Sequence, residues 1–205
     1  MINPLVFEKT KDGEVLYDIF SRLVKERILF LATDINTEVA TIICASLLFL
    51  NSKSETDPID LYINTNGGGI HSGLFTIYDT MNYIKAPVRT TCIGKAYSCG
   101  AILLGAGAKG ERRAFPNSHI LIHEVQNVNV EEFVESTSDL VKKATMVNNL
   151  NTKLAGMVSD FTGQSLETVK KLMKEETYFS AEEAKDFGLI DKIVGEKTLK
   201  TRKSK

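Results

Sequence analysis

The stretch "IDLYINTNGGG", residues 59–69, constrains the fold of this chain more than any other. A β-branched and aromatic run breaks off into three glycines, and helical periodicity then takes over in "SGLFTIYDTMNYIKAP" until Pro87 stops it. The same order recurs along the chain. "DIFSRLVKERILFL" joins a helical pattern to an apolar run, and "NTEVATIICASLLFLNS" is a helix behind an Asn36 or Thr37 cap. "VRTTCIG" is a strand before the helical "YSCGAILLGAGA", and "HILIHEV" is a strand of period two. Strands separated by helices cannot pair through tight hairpins, so the expected class is α/β with largely parallel strands.

At 205 residues the chain suits one substantial core, and 43% hydrophobic residues supply it, so a single domain over 1–205 is expected. Lys and Arg number 25 against 26 Asp and Glu, a net charge of -1. The one like-charge run is the basic tail at about 196–205, read as a solvated terminus, and nothing points to nucleic acid. The start "MINPLVFEKTKDGE" lacks the apolar core of a signal peptide, and no uncharged apolar run is long enough to cross a membrane, so a cytoplasmic protein is expected. Cys44, Cys92 and Cys99 sit among apolar residues without metal-site spacing, which predicts buried thiols, no disulfide and no zinc.

From about Asn129 to Phe161, apolar residues from Phe133 and Val134 through Leu140, Val141, Leu150 and Leu154 to Val158 recur at helical spacing. At 1.5 Å per residue, roughly 30 residues extend about 45 Å, more than one domain of this size covers. Part of that stripe is therefore expected to pack on another subunit. Two shorter helices follow, capped by Ser165 and Ser180, the second ending at Gly188.

Several residues could carry chemistry. Gly67, Gly68 and Gly69 leave a strand with freedom to turn sharply, which suits a plain tight turn, an anion cradle or an oxyanion hole. A P-loop ending is missing. Gly105, Gly107 and Gly110 match a dinucleotide pattern, but the segment before them is helical, which argues against that use. His119 and His123 share a strand face, yet no third metal ligand accompanies them. Ser98, His123 and the backbone of Gly68 are the parts that nucleophilic acyl transfer requires, although spacing alone does not bring them together.

In order and spacing, "YDIFSRLVKERILFL", "LYINTNGGG", "IYDTMNYI", "CIGKAYSCGA", "GAGAKGERRAFPNSHILIH", "FTGQSLETV" and "FSAEEAKDFGLIDKIV" resemble the proteolytic subunits of Clp proteases, the ClpP family. That resemblance implies a crotonase-like fold, a repeated β-β-α spiral with a protruding handle helix at about 129–161 and an N-terminal segment, about 1–18, lining an axial entrance. It implies a self-compartmentalising serine endopeptidase acting on unfolded polypeptides, with neither cofactor nor metal. Ser98 falls on the family's nucleophile, His123 on its base, and the N–H groups of Gly68 and Cys99 on its oxyanion donors. The implied partners are copies of the same chain in heptameric rings that stack into a tetradecamer, a Clp-type AAA+ unfoldase, and a paralogous ClpP subunit.

Three positions depart from the family pattern. Glu176 stands where the family has an aspartate, and is expected to orient His123 in its place. Glu175 replaces a common arginine at the contact between rings, reversing a charge and placing stacking in question. At the positions that dock the ATPase, Tyr62, Tyr83, Phe115 and Val194 suit apolar loops, whereas Asp60 and Arg113 are charged. Two alternatives follow: a catalytically weak ring partner of an active paralogue, and an acyl-CoA enzyme of the same fold. Cys99 as nucleophile is a rival to Ser98, and Asp191 a rival to Glu176.

Overall fold

The computed structural model describes residues 4–11, 13–126 and 136–195. An antiparallel hairpin, β1 (Leu5–Thr10) with β2 (Gly13–Asp18), comes first and is not anticipated by the helix-and-strand alternation. Leu5, Phe7, Val15 and Leu16 on it are exposed. Asp18 then caps α1 (Ile19–Lys25), its carboxylate accepting the Phe20 and Ser21 N–H groups.

β3 (Ile28–Leu31), α2 (Thr37–Lys53) and β4 (Ile59–Thr65) follow, then a π-helical turn (Ile70–Leu74) running into α3 (Phe75–Tyr83). Next come β5 (Val88–Tyr97), α4 (Cys99–Gly105), β6 (Arg113–Ala114) and β7 (His119–Ile122). The chain continues through α5 (Thr137–Thr162), α6 (Leu166–Lys174), β8 (Thr177–Phe179), α7 (Ala181–Phe187) and β9 (Lys192–Ile193). The class is α/β, as the alternation predicts. β3, β4, β5, β6 and β9 pair in that order, all parallel, while β7 pairs parallel with β5 and antiparallel with β8.

β4 shows how the sequence selects this arrangement. Ile59, Leu61 and Ile63 point into the core while Asp60, Tyr62 and Asn64 do not, the period of two that a strand imposes. On α2, Ala40, Ile43, Cys44, Leu47 and Leu50 form the buried stripe, and Asn36 is the cap, accepting the Val39 N–H. The C-terminal end of α2 is held from outside. Arg27 donates to the carbonyls of Leu50, Ser54, Asp57 and Pro58, satisfying acceptors that a helix end and its following turn would leave open. All seven residues of α4 are buried, which an apolar helix without a polar face requires.

α5 is shorter than its apolar pattern predicts. It begins at Thr137, where Ser136 accepts the Asp139 N–H, and ends at Gly163 in the left-handed conformation. Residues 129–135 of the expected span lie outside the described residues, as do 196–205 of the basic tail. The two ends of α5 differ in what they bury. Leu154, Ala155, Met157 and Val158 belong to the subunit's own core, while Leu140, Val141 and Met146 are exposed.

One buried ion pair ties the end of the chain to its middle. Arg112, 4% exposed, donates through Nη2 and Nε to Asp191 at 2.7 and 2.9 Å, and through Nη1 to the Phe161 carbonyl at 2.8 Å. The amides of Gly110 and Arg112 add two more donors to the same carboxylate. Burial pushes the Asp191 carboxyl up, but the Arg112 hydrogen bonds and charge outweigh it and hold the group below its usual range. Asp191→Asn leaves a buried guanidinium without its counter-charge, a loss of about 3 kcal/mol. Thermal unfolding should then fall by about 2–4 °C per kcal/mol. Because the folded pKa is depressed, the stability Asp191 supplies is complete above about pH 4, the range of an unfolded aspartate, and is lost as pH falls through the lower folded value. Unfolding scans across pH 2–6 should show that acid-dependent component in the parent chain and not in the variant.

Candidate active site

Strand register brings the candidate residues together. Tyr97, the last residue of β5, pairs with Leu121 of β7, and Ile122 pairs with Thr177, the first residue of β8. Ser98, His123 and Glu176 are each one residue past these pairs. The residues following β5 and β7 and the one preceding antiparallel β8 thus line one cavity. Ser98 lies on a sharp strand-to-helix turn with φ 56° and ψ -121°, a conformation an L-residue rarely takes, and its N–H donates to the Leu121 carbonyl at 2.9 Å. A half-buried serine held so, at the mouth of a helix, has the strand-turn-helix geometry of a nucleophile elbow.

The glycine loop closes against it from β4. Ile35 donates to the Gly67 carbonyl at 2.7 Å and accepts from the Gly69 amide at 2.8 Å, a parallel bridge to Gly68. Gly68's own N–H and C=O therefore face the opposite side, toward α4, and its carbonyl accepts the Cys99 thiol at 3.2 Å. Glycine is required here by space as well as by angle. A Cβ on Gly67 would lie 2.7 Å from the Ser98 Cβ, and one on Gly68, at φ 147°, would lie 2.1 Å from the Ile35 carbonyl oxygen. The buried hydroxyl of Thr65 fixes the loop's start, donating to the Thr33 carbonyl and accepting the Gly67 amide. The Cys99 amide belongs to the first turn of α4, where backbone N–H groups have no acceptor within the helix.

These groups open on a cavity of about 740 Å³ whose lining includes Gly68, Ser98, Cys99, His123 and Glu176. Its far wall is apolar, with Ile70, Ile102, Met146, Val147, Leu150 and Leu154. The triad-like set is gathered, but its links are not all made. The Glu176 carboxylate accepts from Gln126 Nε2 at 3.1 Å and from the Tyr178 hydroxyl at 3.4 Å, and the buried Nδ1 of His123 has no hydrogen-bond partner among the described residues. Asp191, the rival carboxylate, is committed to Arg112. Sequence reasoning misses Gln126 and Tyr178. Tyr178 is legible afterwards, since position 176 plus two falls on the same strand face, whereas Gln126 carries no local signal.

The positions expected to dock a partner divide. Register places Tyr62, Phe115 and Val194 on one face of the sheet, with Tyr62 stacked on Phe30 at 5.2 Å, while Tyr83 is the exposed last residue of α3. Asp60 and Arg113 share the sheet face with them. Asp60 pairs with Arg89 and reaches Arg113 at 4.0 Å, and Arg113 also pairs with Glu111. Glu175, exposed at the end of α6, has Lys171 at 4.0 Å.

Among the described residues no group of three metal-ligating side chains gathers, and no helix is long and apolar enough to cross a membrane. A family model described as Clp protease matches residues 11–197, nearly the whole chain.

Burial pushes the Cys99 thiol up to about 11, with hydrogen bonding to Ser98 and Gly68 opposing it only in part. Only a trace of thiolate exists at neutral pH, which disfavours Cys99 as nucleophile. Iodoacetamide at pH 7.5 should leave Cys99 unmodified in the native protein and alkylate it after denaturation. Rapid alkylation of the native form, read by peptide mass spectrometry, would restore the thiol as a rival.

Proposed function

The chain belongs to the Clp protease family, a family of peptidases, and on that premise we propose that it is a serine endopeptidase subunit acting through an acyl-enzyme on Ser98. The observation that carries this reading is the register of β5, β7 and β8, which sets Ser98, His123 and Glu176 past the ends of adjacent strands on one cavity. In the proposed cycle His123 takes the Ser98 hydroxyl proton as Oγ attacks the peptide carbonyl carbon. The oxyanion that forms is met by the N–H groups of Gly68 and Cys99. His123 then returns the proton to the leaving amine, and water hydrolyses the ester with His123 again as base. Glu176 stabilises the imidazolium in both halves.

The substrates in this reading are unfolded polypeptides, delivered by a separate AAA+ unfoldase that supplies the energy. The exposed apolar start of α5 is the handle contact between copies of the chain, which assemble as heptameric rings. Lys171 offsets the acidic Glu175 locally, which lessens the repulsion expected at a ring-to-ring contact. The exposed β1–β2 hairpin is the axial entrance segment. Tyr62, Phe115 and Val194, with Tyr83 at a distance in sequence, are the docking positions for the unfoldase. A second reading, a catalytically weak ring partner, is favoured by one observation: the Glu176 carboxylate is bound to Gln126 and Tyr178 instead of His123.

Ser98→Ala should abolish peptide cleavage and labelling by a fluorophosphonate while leaving the sedimentation profile unchanged. Cleavage that survives in Ser98→Ala would end the acyl-enzyme proposal. For parent chains already assembled, absence of both cleavage and labelling would favour the weak ring partner.

Assembly has its own test. Val141→Asp, at a position 60% exposed in the subunit, should shift the protein to smaller species in sedimentation without lowering the subunit's thermal stability. Leu154→Asp is the wrong probe, because Leu154 lies in the subunit's own core and a charge there unfolds it. An unchanged profile for Val141→Asp would remove α5 from the interface.

A further inference from the structure

The antiparallel pairing of β7 with β8 ends at Ile122 and Thr177, so Glu176 stands across from His123. Its backbone is unusual for a non-glycine residue, with φ 52°, and its N–H donates to the Met173 carbonyl. The carboxylate makes no hydrogen bond to His123 among the described residues. One oxygen accepts from Gln126 Nε2 at 3.1 Å and the other from the Tyr178 hydroxyl at 3.4 Å. Across the gap, His123 Nδ1 is buried and has no hydrogen-bond partner among the described residues. Tyr178 stays in its donating, protonated form, its pKa raised by desolvation and by the Glu176 charge. Its ring packs edge-on against Tyr97, the neighbour of Ser98, at 5.8 Å and 87°.

We propose that Gln126 and Tyr178 are positioning residues that compete with His123 for the Glu176 carboxylate, forming a latch that keeps the relay open in most molecules. This rests on the peptidase reading, in which His123 is the base. Two donors on one side and an orphaned buried nitrogen on the other define two arrangements of one carboxylate, and any group that weakens the first populates the second. Glutamate suits such a latch, because its extra methylene gives the carboxylate a longer reach than the aspartate of the family pattern. The Tyr97–Tyr178 contact couples the latch to the strand that bears Ser98.

The titratable and charged groups lining the same cavity as His123 are His71, Tyr97, Cys99, Glu124, Lys143 and Glu176. Glu176 is the one whose distance from His123 the latch sets. A carboxylate docked on Nδ1 stabilises the imidazolium and raises the histidine pKa. The base must be neutral to act, so the acid limb of the pH–rate profile moves to higher pH as the latch opens.

The test uses the assembled full-length protein, Tyr178→Phe, Gln126→Ala and their double variant, each with and without Glu176→Gln. Tyr178→Phe keeps the ring against Tyr97 and removes only the donor. Histidine titration by NMR should give a higher His123 pKa in the latch variants than in the parent, with a strongly deshielded Nδ1 proton. Peptide kcat should rise several-fold with little change in KM, and Glu176→Gln should erase every one of these effects. A His123 pKa that is unchanged or lower in the double variant overturns the latch, whatever the activity. A raised pKa with no cleavage and no fluorophosphonate labelling in any form keeps the latch and removes the peptidase reading instead.

Discussion

Most of this structure depends on a bend in β5. Against β4 the pairing passes from Ile63 opposite Cys92 to Thr65 opposite Ala96, so β4 advances two residues while β5 advances four. The extra residues form an irregularity that turns β5 away from one partner and toward another. Its first half pairs with β6 at Thr91 and Cys92, and its second half pairs with β7 from Lys95 to Tyr97. Without the bend, β7 would have no strand to join, β8 would have no β7, and His123 and Glu176 would not stand beside Ser98. The hydrogen bonds that fix this geometry are ordinary ladder bonds in a buried sheet, where losing one leaves a desolvated polar group.

Strain at the site is carried by that framework. Ser98 and Glu176 both adopt positive φ, and each follows or precedes a strand whose register is fixed by buried residues on both sides. Ile120, Leu121 and Ile122 bury β7 on both faces, and on β8 Phe179 is in the core while Tyr178 is exposed, so a one-residue slip of β8 would expose Phe179. The cost of a rare backbone angle is thereby borne by packing around Ser98 and Glu176, which is how such conformations persist. The glycine loop adds a second constraint, since Gly67 touches Ser98 and Gly68 is clasped by Ile35.

Charge is distributed differently on the cavity and on the sheet face. The cavity wall is largely apolar and holds His123 and Glu176 at one end, while the sheet face bearing Tyr62, Phe115 and Val194 carries Asp60, Arg89, Arg113 and Lys192. Those charges are paired with one another or with Glu111, half-buried at Asp60, Arg89 and Arg113 and more exposed at Lys192. Arg112 and Asp191 are the contrasting case, a buried pair whose role is to hold β9 and α5 together.

Local chemistry made much of the fold legible from the sequence. The period of two in "IDLYI" dictated a strand with one face buried, Asn36, Ser165 and Ser180 marked helix starts, and Gly188 marked an end, because capping and periodicity act over a few residues. The family pattern likewise singled out Ser98, His123, Gly68, Cys99 and Glu176, all of which line one cavity. Tertiary structure alone decided the rest. The β1–β2 hairpin has no buried face to announce it, so its apolar residues show no core-directed pattern. Which part of α5 is core and which is surface depends on packing against α4 and α6, which puts Leu154 in the subunit's interior and leaves Leu140, Val141 and Met146 exposed. Gln126 as a partner of Glu176 was beyond the sequence for the same reason: a carboxylate chooses among donors by ångström-scale distance, and a residue 50 positions away in the chain comes within its reach only in the folded structure.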